Sequence, residues 1–91
     1  MPKFLAVHPM HSPASVEDVT SGGKKVKSLC TKDAYWVGSW GQLNDQGKIV
    51  KIFCEWNAKD RKAVEDLLKN VEMPTEGVYP MMKVDSEDFR E

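Results

Sequence analysis

The stretch from Ala34 to Trp56 reads Ala-Tyr-Trp-Val-Gly-Ser-Trp-Gly-Gln-Leu-Asn-Asp-Gln-Gly-Lys-Ile-Val-Lys-Ile-Phe-Cys-Glu-Trp, and its reading decides the fold. Ala34 to Gly41 and Ile49 to Trp56 are rich in aromatic and β-branched residues, which suit a pleated, half-buried surface. Between them Asn44-Asp45-Gln46-Gly47 is turn chemistry, because Gly47 can take a positive φ that other residues avoid. The two runs are expected to be adjacent strands of one hairpin. With a four-residue loop, the register places Trp36 opposite Glu55, Gly38 opposite Phe53 and Trp40 opposite Lys51 on one face. Tyr35, Val37, Ser39, Ile52, Cys54 and Trp56 then occupy the other.

Working outward, Asn57 with Asp60 resembles a helix cap. Ala63, Val64, Leu67, Leu68 and Val71 follow at helical spacing until Pro74 and Gly77 stop the pattern. Val78 to Val84 reads as a last strand, and Pro80, which lacks a backbone donor, assigns it to a sheet edge. On the other side of the hairpin, Ser15 with Asp18 forms a capping pair. Val16, Val19, Val26 and Leu29 then recur at helical spacing through Cys30. Gly22 and Gly23 interrupt this run, each costing up to about 1 kcal/mol relative to alanine, so a kink or a late start is expected there. Lys3 to Met10 is short and apolar, and reads as a first strand that stops at His8 or Pro9. Strand, helix, strand, strand, helix, strand is the order of an α+β, ferredoxin-like domain over residues 1–85. Right-handed crossovers give a four-stranded antiparallel sheet in the order 4-1-3-2 with both helices on one face. Ser86 to Glu91 is an acidic tail expected to fray.

The other sheet face is left open. The Val50 and Ile52 set is assigned to the helices, which gives Trp36, Trp40, Lys51, Phe53 and Glu55 to the open face. Exposed aromatic rings on a sheet mark an interface or a ligand groove, so a homodimer through this face is expected. His8 and Glu55 are read as polar groups on that face, brought together only by a two-fold partner.

Composition narrows the alternatives. The chain has 91 residues, 13 basic and 14 acidic side chains and a formal net charge of -1, enough for one domain of modest core. Its basic residues are dispersed apart from Lys24, Lys25 and Lys27, so the clustered positive footprint of a nucleic-acid binder is missing. The apolar run Phe4 to Val7 is far below the roughly 18 residues of a membrane span. A cytoplasmic location is therefore expected, with no nucleic acid or membrane partner. Two cysteines, Cys30 and Cys54, lack CxxC spacing and fit reduced core thiols in such a compartment. As neighbours at one end of the sheet, they would also suit a redox pair or thiolate site.

His8 and His11 flank Pro9-Met10, and neutral imidazoles bind nickel, copper and zinc. The candidate metal ligands are His8, Cys54, His11 and Glu55. Tyr35, Trp36, Trp40 and Phe53 are candidates for lining a pocket for a planar molecule. Gly22-Gly23-Lys24-Lys25 lacks the upstream glycine and following hydroxyl of a phosphate-binding loop.

The opening Met-Pro-Lys-Phe-Leu-Ala-Val-His, the Tyr35-Trp36 pair, and Phe53-Cys54 followed by a short capped helix resemble a family of small bacterial ferredoxin-like proteins of unknown function, one of which is nickel-binding and nickel-responsive. The resemblance runs from about residue 2 to 71. It implies a dimeric α+β barrel and a metal role for His8 and Cys54. Typical members carry an acidic residue where Asn57 stands and histidines in the second helix, and Lys59 to Val71 has none. The wider dimeric α+β barrel group includes cofactor-independent monooxygenases and isomerases. Three functions follow: a homodimeric binding protein for a transition metal such as nickel, a cofactor-free monooxygenase or isomerase acting on a small planar molecule, or a structural or regulatory dimer without ligand.

Overall fold

The computed structural model describes residues 1–90; Glu91, the end of the expected tail, lies outside the described residues. The element order is β1 (Lys3–Ala14), α1 (Val16–Leu29), β2 (Ala34–Leu43), β3 (Ile49–Ala58), α2 (Arg61–Leu68), β4 (Gly77–Met81) and a 3-10 turn at Ser86–Phe89. The strands make one sheet in the order β2-β3-β1-β4, which is the expected 4-1-3-2 read from the opposite edge. All three pairings are antiparallel. This is the ferredoxin-like α+β arrangement expected from the sequence, with Pro80 on the edge strand β4.

Local chemistry explains the boundaries. Ser15 and Asp18 form a complete capping box at the start of α1, satisfying backbone N–H groups that the first turn leaves without partners. Gly22 and Gly23 do not break this helix. A Cβ on Gly23 would lie 3.6 Å from the Trp36 ring, and one on Gly22 3.7 Å from Met73, so the two glycines sit where α1 crosses those side chains. Asp60 alone caps α2, accepting from Ala63 N. Asn57 is a β3 residue whose side chain accepts from Lys3 Nζ at 2.9 Å, which corrects its assignment as a cap. At the hairpin tip the Asn44 carboxamide accepts from the backbone of Gln46 and Lys48, and Gly47 has φ 76.

Three further expectations, about the strands and the tail, need correction. β1 does not stop at Pro9 but continues to Ala14, with an irregularity between Pro9 and Ala14. Proline is tolerated there because β4 pairs with β1 only over Lys3 to Val7, so no ladder partner needs the missing N–H. The hairpin register also shifts, first near the turn between Gln42 and Leu43 and again between Trp36 and Gly38. Trp40 consequently faces Phe53, Gly38 faces Glu55 and Trp36 faces Trp56. The second shift is a bulge at Val37, which reverses the alternation of side chains and carries Trp36 from the open face to the helix face. Finally, Ser86–Phe89 of the tail forms a capped 3-10 turn in place of a frayed end.

The core lies between sheet and helices. Phe4 and Ala6 of β1, Ile52, Cys54, Trp56 and Ala58 of β3, Val26 of α1 and Val64, Leu67 and Leu68 of α2 are buried together. On the open face Trp40 is 75 % exposed. Lys3 pairs there with Glu55, and Lys51 with Glu76 at 3.3 Å.

Candidate functional site

His8 is the one buried polar or charged residue among those described, at 1 % exposure. Its place follows from strand alternation: it shares the parity of Phe4 and Ala6, so β1 turns all three toward the helices. The expectation of an open-face His8 is therefore overturned. Its Nδ1 lies 3.0 Å from the Pro74 carbonyl oxygen and 3.1 Å from the Thr75 hydroxyl oxygen. A carbonyl only accepts, so Nδ1 carries the proton and donates it to Pro74. Nε2 is then a lone-pair acceptor. Burial lowers the His8 pKa, and the bond to Pro74 offsets part of that effect.

His8 lines a cavity of about 110 Å³ with Val19, Gly23, Val26, Trp36, Ser39, Ile52, Cys54, Trp56, Leu68 and Met73. Cys54 thus shares a cavity with His8, whereas the expected register set the two on opposite faces. The Cys54 thiol is buried, which pushes its pKa up, while a hydrogen bond from Ser39 acts against this. That bond belongs to a relay along the outer wall: the Trp36 indole N–H donates to Ser39 Oγ at 2.9 Å and to the Gly38 carbonyl at 3.0 Å, and Ser39 Oγ donates to Cys54 Sγ at 3.1 Å. The relay fixes the Trp36 ring against Gly23. Opposite, Trp56 is fully buried and its Nε1–H has no hydrogen-bond partner among the described residues. Leaving such a donor unpaired costs about 1–3 kcal/mol.

The other candidates lie elsewhere. His11 is exposed on β1. Glu55 is on the open face, engaged with Lys3. Trp40 and Phe53 face each other on that same side, and Tyr35 is 47 % exposed beneath the Lys27 ammonium, 3.9 Å from its ring centre. Cys30 accepts from the Trp36 backbone N–H at 3.4 Å and so has different partners from Cys54; both thiols are free. Among the described residues no group of three or more His, Cys, Asp or Glu side chains is placed to hold a metal ion. Ser39, Trp56 and Met73 escaped the sequence reading as site residues. Trp56 follows Cys54 by two in a strand, and that spacing was the available signal.

A wider surface cleft of about 460 Å³ beside α2 is lined by Asp33, Lys59, Lys62 and Asp66 among others. Its lysines are paired, Lys59 with Asp33 and Lys62 with Asp66, and Asp60 accepts from Ala63 N as the cap of α2. The cavity around His8 is different in kind: among the described residues no charged side chain lines it.

Comparison with known proteins adds the fold alone. No family model matches the chain, and no curated protein matches it. Among solved structures it is similar to SCO4226 from Streptomyces coelicolor A3(2), with a TM-score of 0.74 over 91 % of this chain and 99 % of that one, at 10 % identity. Among the described residues no helix is long and apolar enough to cross a membrane.

Proposed function

We propose that this chain is a small binding protein whose ligand is an uncharged, largely apolar molecule held between sheet and helices. The observation that carries the reading is His8: a buried imidazole, anchored through Nδ1 to Pro74, in the wall of a cavity lined, apart from the Ser39 hydroxyl, by apolar and aromatic groups. A lowered pKa keeps that ring neutral, and a neutral ring of fixed tautomer is suited to orienting an organic ligand or accepting its proton. In the second role the protein would be a cofactor-independent monooxygenase or isomerase.

A second reading, a transition-metal site for nickel or a similar ion, is favoured by one observation. His8 and Cys54, a borderline and a soft donor, line the same cavity. Against it, metal binding needs thiolate, and burial holds Cys54 as the thiol. His11 and Glu55 are too differently placed to complete the set within one subunit. The two free, separately bonded thiols suit a reducing, cytoplasmic setting.

The open face supports a homodimer. Trp40, at 75 % exposure, lies opposite Phe53, and covering these rings removes apolar area from water. Light scattering is expected to find a dimer that Trp40→Glu converts to monomer; an unchanged monomeric mass for the parent protein would refute this.

Metal content and nickel, copper and zinc titration of untagged protein, beside His8→Ala and Cys54→Ala, decide between the two ligand readings. Sub-stoichiometric metal with no dependence on either residue is expected. Tight binding at a fixed ratio per subunit, weakened by either substitution, would transfer the site to the metal.

A further inference from the structure

The geometry points to a neutral, single-ring aromatic hydroxyl compound, a phenol, as the class of ligand that the His8 cavity accepts. This rests on the small-molecule reading above and specifies it.

Four features converge on that class. First, Nδ1 of His8 is committed to the Pro74 carbonyl at 3.0 Å, so its other ring nitrogen offers a lone pair and no proton. A ligand group meeting Nε2 must be a donor, and an ether or a hydrocarbon cannot serve. Second, none of the lining residues carries a charged side chain, so a carboxylate or an ammonium would enter without a counter-ion and lose its hydration uncompensated. A phenolic hydroxyl, with a pKa near 10, remains neutral at physiological pH.

Third, the walls favour a flat ring. Trp36 and Trp56 supply aromatic surfaces, Cys54 and Met73 supply polarisable sulfur, and both kinds of contact reward an aromatic partner. The volume of about 110 Å³ is somewhat below the roughly 150 Å³ of a cavity known to take up benzene. One ring is therefore the upper limit for the enclosed part. Met73 is half-buried on the segment that follows α2, and its unbranched thioether gives way more easily than a branched side chain. Fourth, the Trp56 indole N–H is buried without an acceptor among the described residues. A hydroxyl oxygen, or an acceptor elsewhere on the ring, supplies one, whereas toluene offers none.

The test uses the full chain and four probes that differ in one property each: phenol, anisole, toluene and benzoate. Binding is followed by amide and indole N–H chemical shifts and by calorimetry. Phenol is expected to perturb the Trp36 and Trp56 indole signals and to bind at least about tenfold tighter than anisole or toluene, the worth of one hydrogen bond to a buried acceptor. Benzoate is expected not to bind. His8→Phe, which keeps a ring and removes the acceptor, should bring phenol and toluene to equal affinity. The comparison among the four probes on the parent protein does not depend on that variant folding. If phenol and toluene bind the parent equally, the phenol assignment is wrong and the small-molecule cavity stands. If none of the four moves the two indole signals, the cavity reading itself falls. Preferential binding of benzoate would overturn the argument from charge.

Discussion

The two faces of the sheet handle polar groups in opposite ways. Toward the helices, His8, Cys54 and Trp56 are buried, and none has a charged partner among the hydrogen bonds and ion pairs they make. They are held neutral: burial lowers the histidine pKa and raises that of the thiol. Toward the open side, Lys3 with Glu55 and Lys51 with Glu76 are ion pairs about one-third to one-half exposed, in which water screens both charges. One sheet thus has an uncharged interior and a charged, aromatic exterior. The difference teaches where each kind of chemistry is affordable: ionisation outside, hydrogen bonding of neutral groups inside.

Three substitutions or titrations probe that division. The largest effect is expected from paired truncations of tryptophan. Trp56→Ala should cost about 3–5 kcal/mol in urea unfolding, since it empties a fully buried position, whereas Trp40→Ala in dilute protein should stay within about 0.5 kcal/mol. Equal costs would erase the distinction between the faces. Next comes acidification. Because the folded pKa of His8 lies below its unfolded value near 6.5, the unfolded chain binds the extra proton first. Stability should therefore be fully present above that value and fall as pH drops from about 6.5 toward the lower folded pKa. His8→Phe should remove this part of the slope, and an unchanged slope would assign it to other groups. The smallest effect belongs to the exterior: Lys51→Ala should lose no more than about 0.5–1 kcal/mol, and less at high salt. A larger, salt-independent loss would mean that this pair is not acting as a solvated one.

Much of the architecture was legible in the sequence because local chemistry dictates it. Asn44 to Gly47 specified the hairpin turn, Ser15 with Asp18 the start of α1, and Pro80 an edge strand. The site was less legible. Phe4 to Val7 are all apolar, so alternation could not say which face of β1 meets the helices, and His8 went to the wrong one. A bulge likewise leaves only a faint trace. Gly38 within a strand pattern is a recognised sign of one, yet only the observed pairing located the extra residue at Val37. The hydrogen bond from His8 to Pro74 joins positions far apart in the chain, and no local pattern encodes it.

The bulge at Val37 makes the outer wall of the cavity a matter of strand pairing as much as of side-chain identity. Trp36 faces inward because Val37 stays out of the ladder between it and Gly38; drawing Val37 into the ladder opposite Trp56 would turn the Trp36 indole outward, whereas deleting Val37 would leave Trp36 opposite Trp56 and inward. Substitutions at Val37 that preserve the bulge, and loss of the residue itself, leave the wall in place, while one that pulls this backbone into regular pairing removes it. A lineage carrying this fold could therefore open or close its interior by a one-residue shift in the pairing of an edge strand, with every residue of the core unchanged.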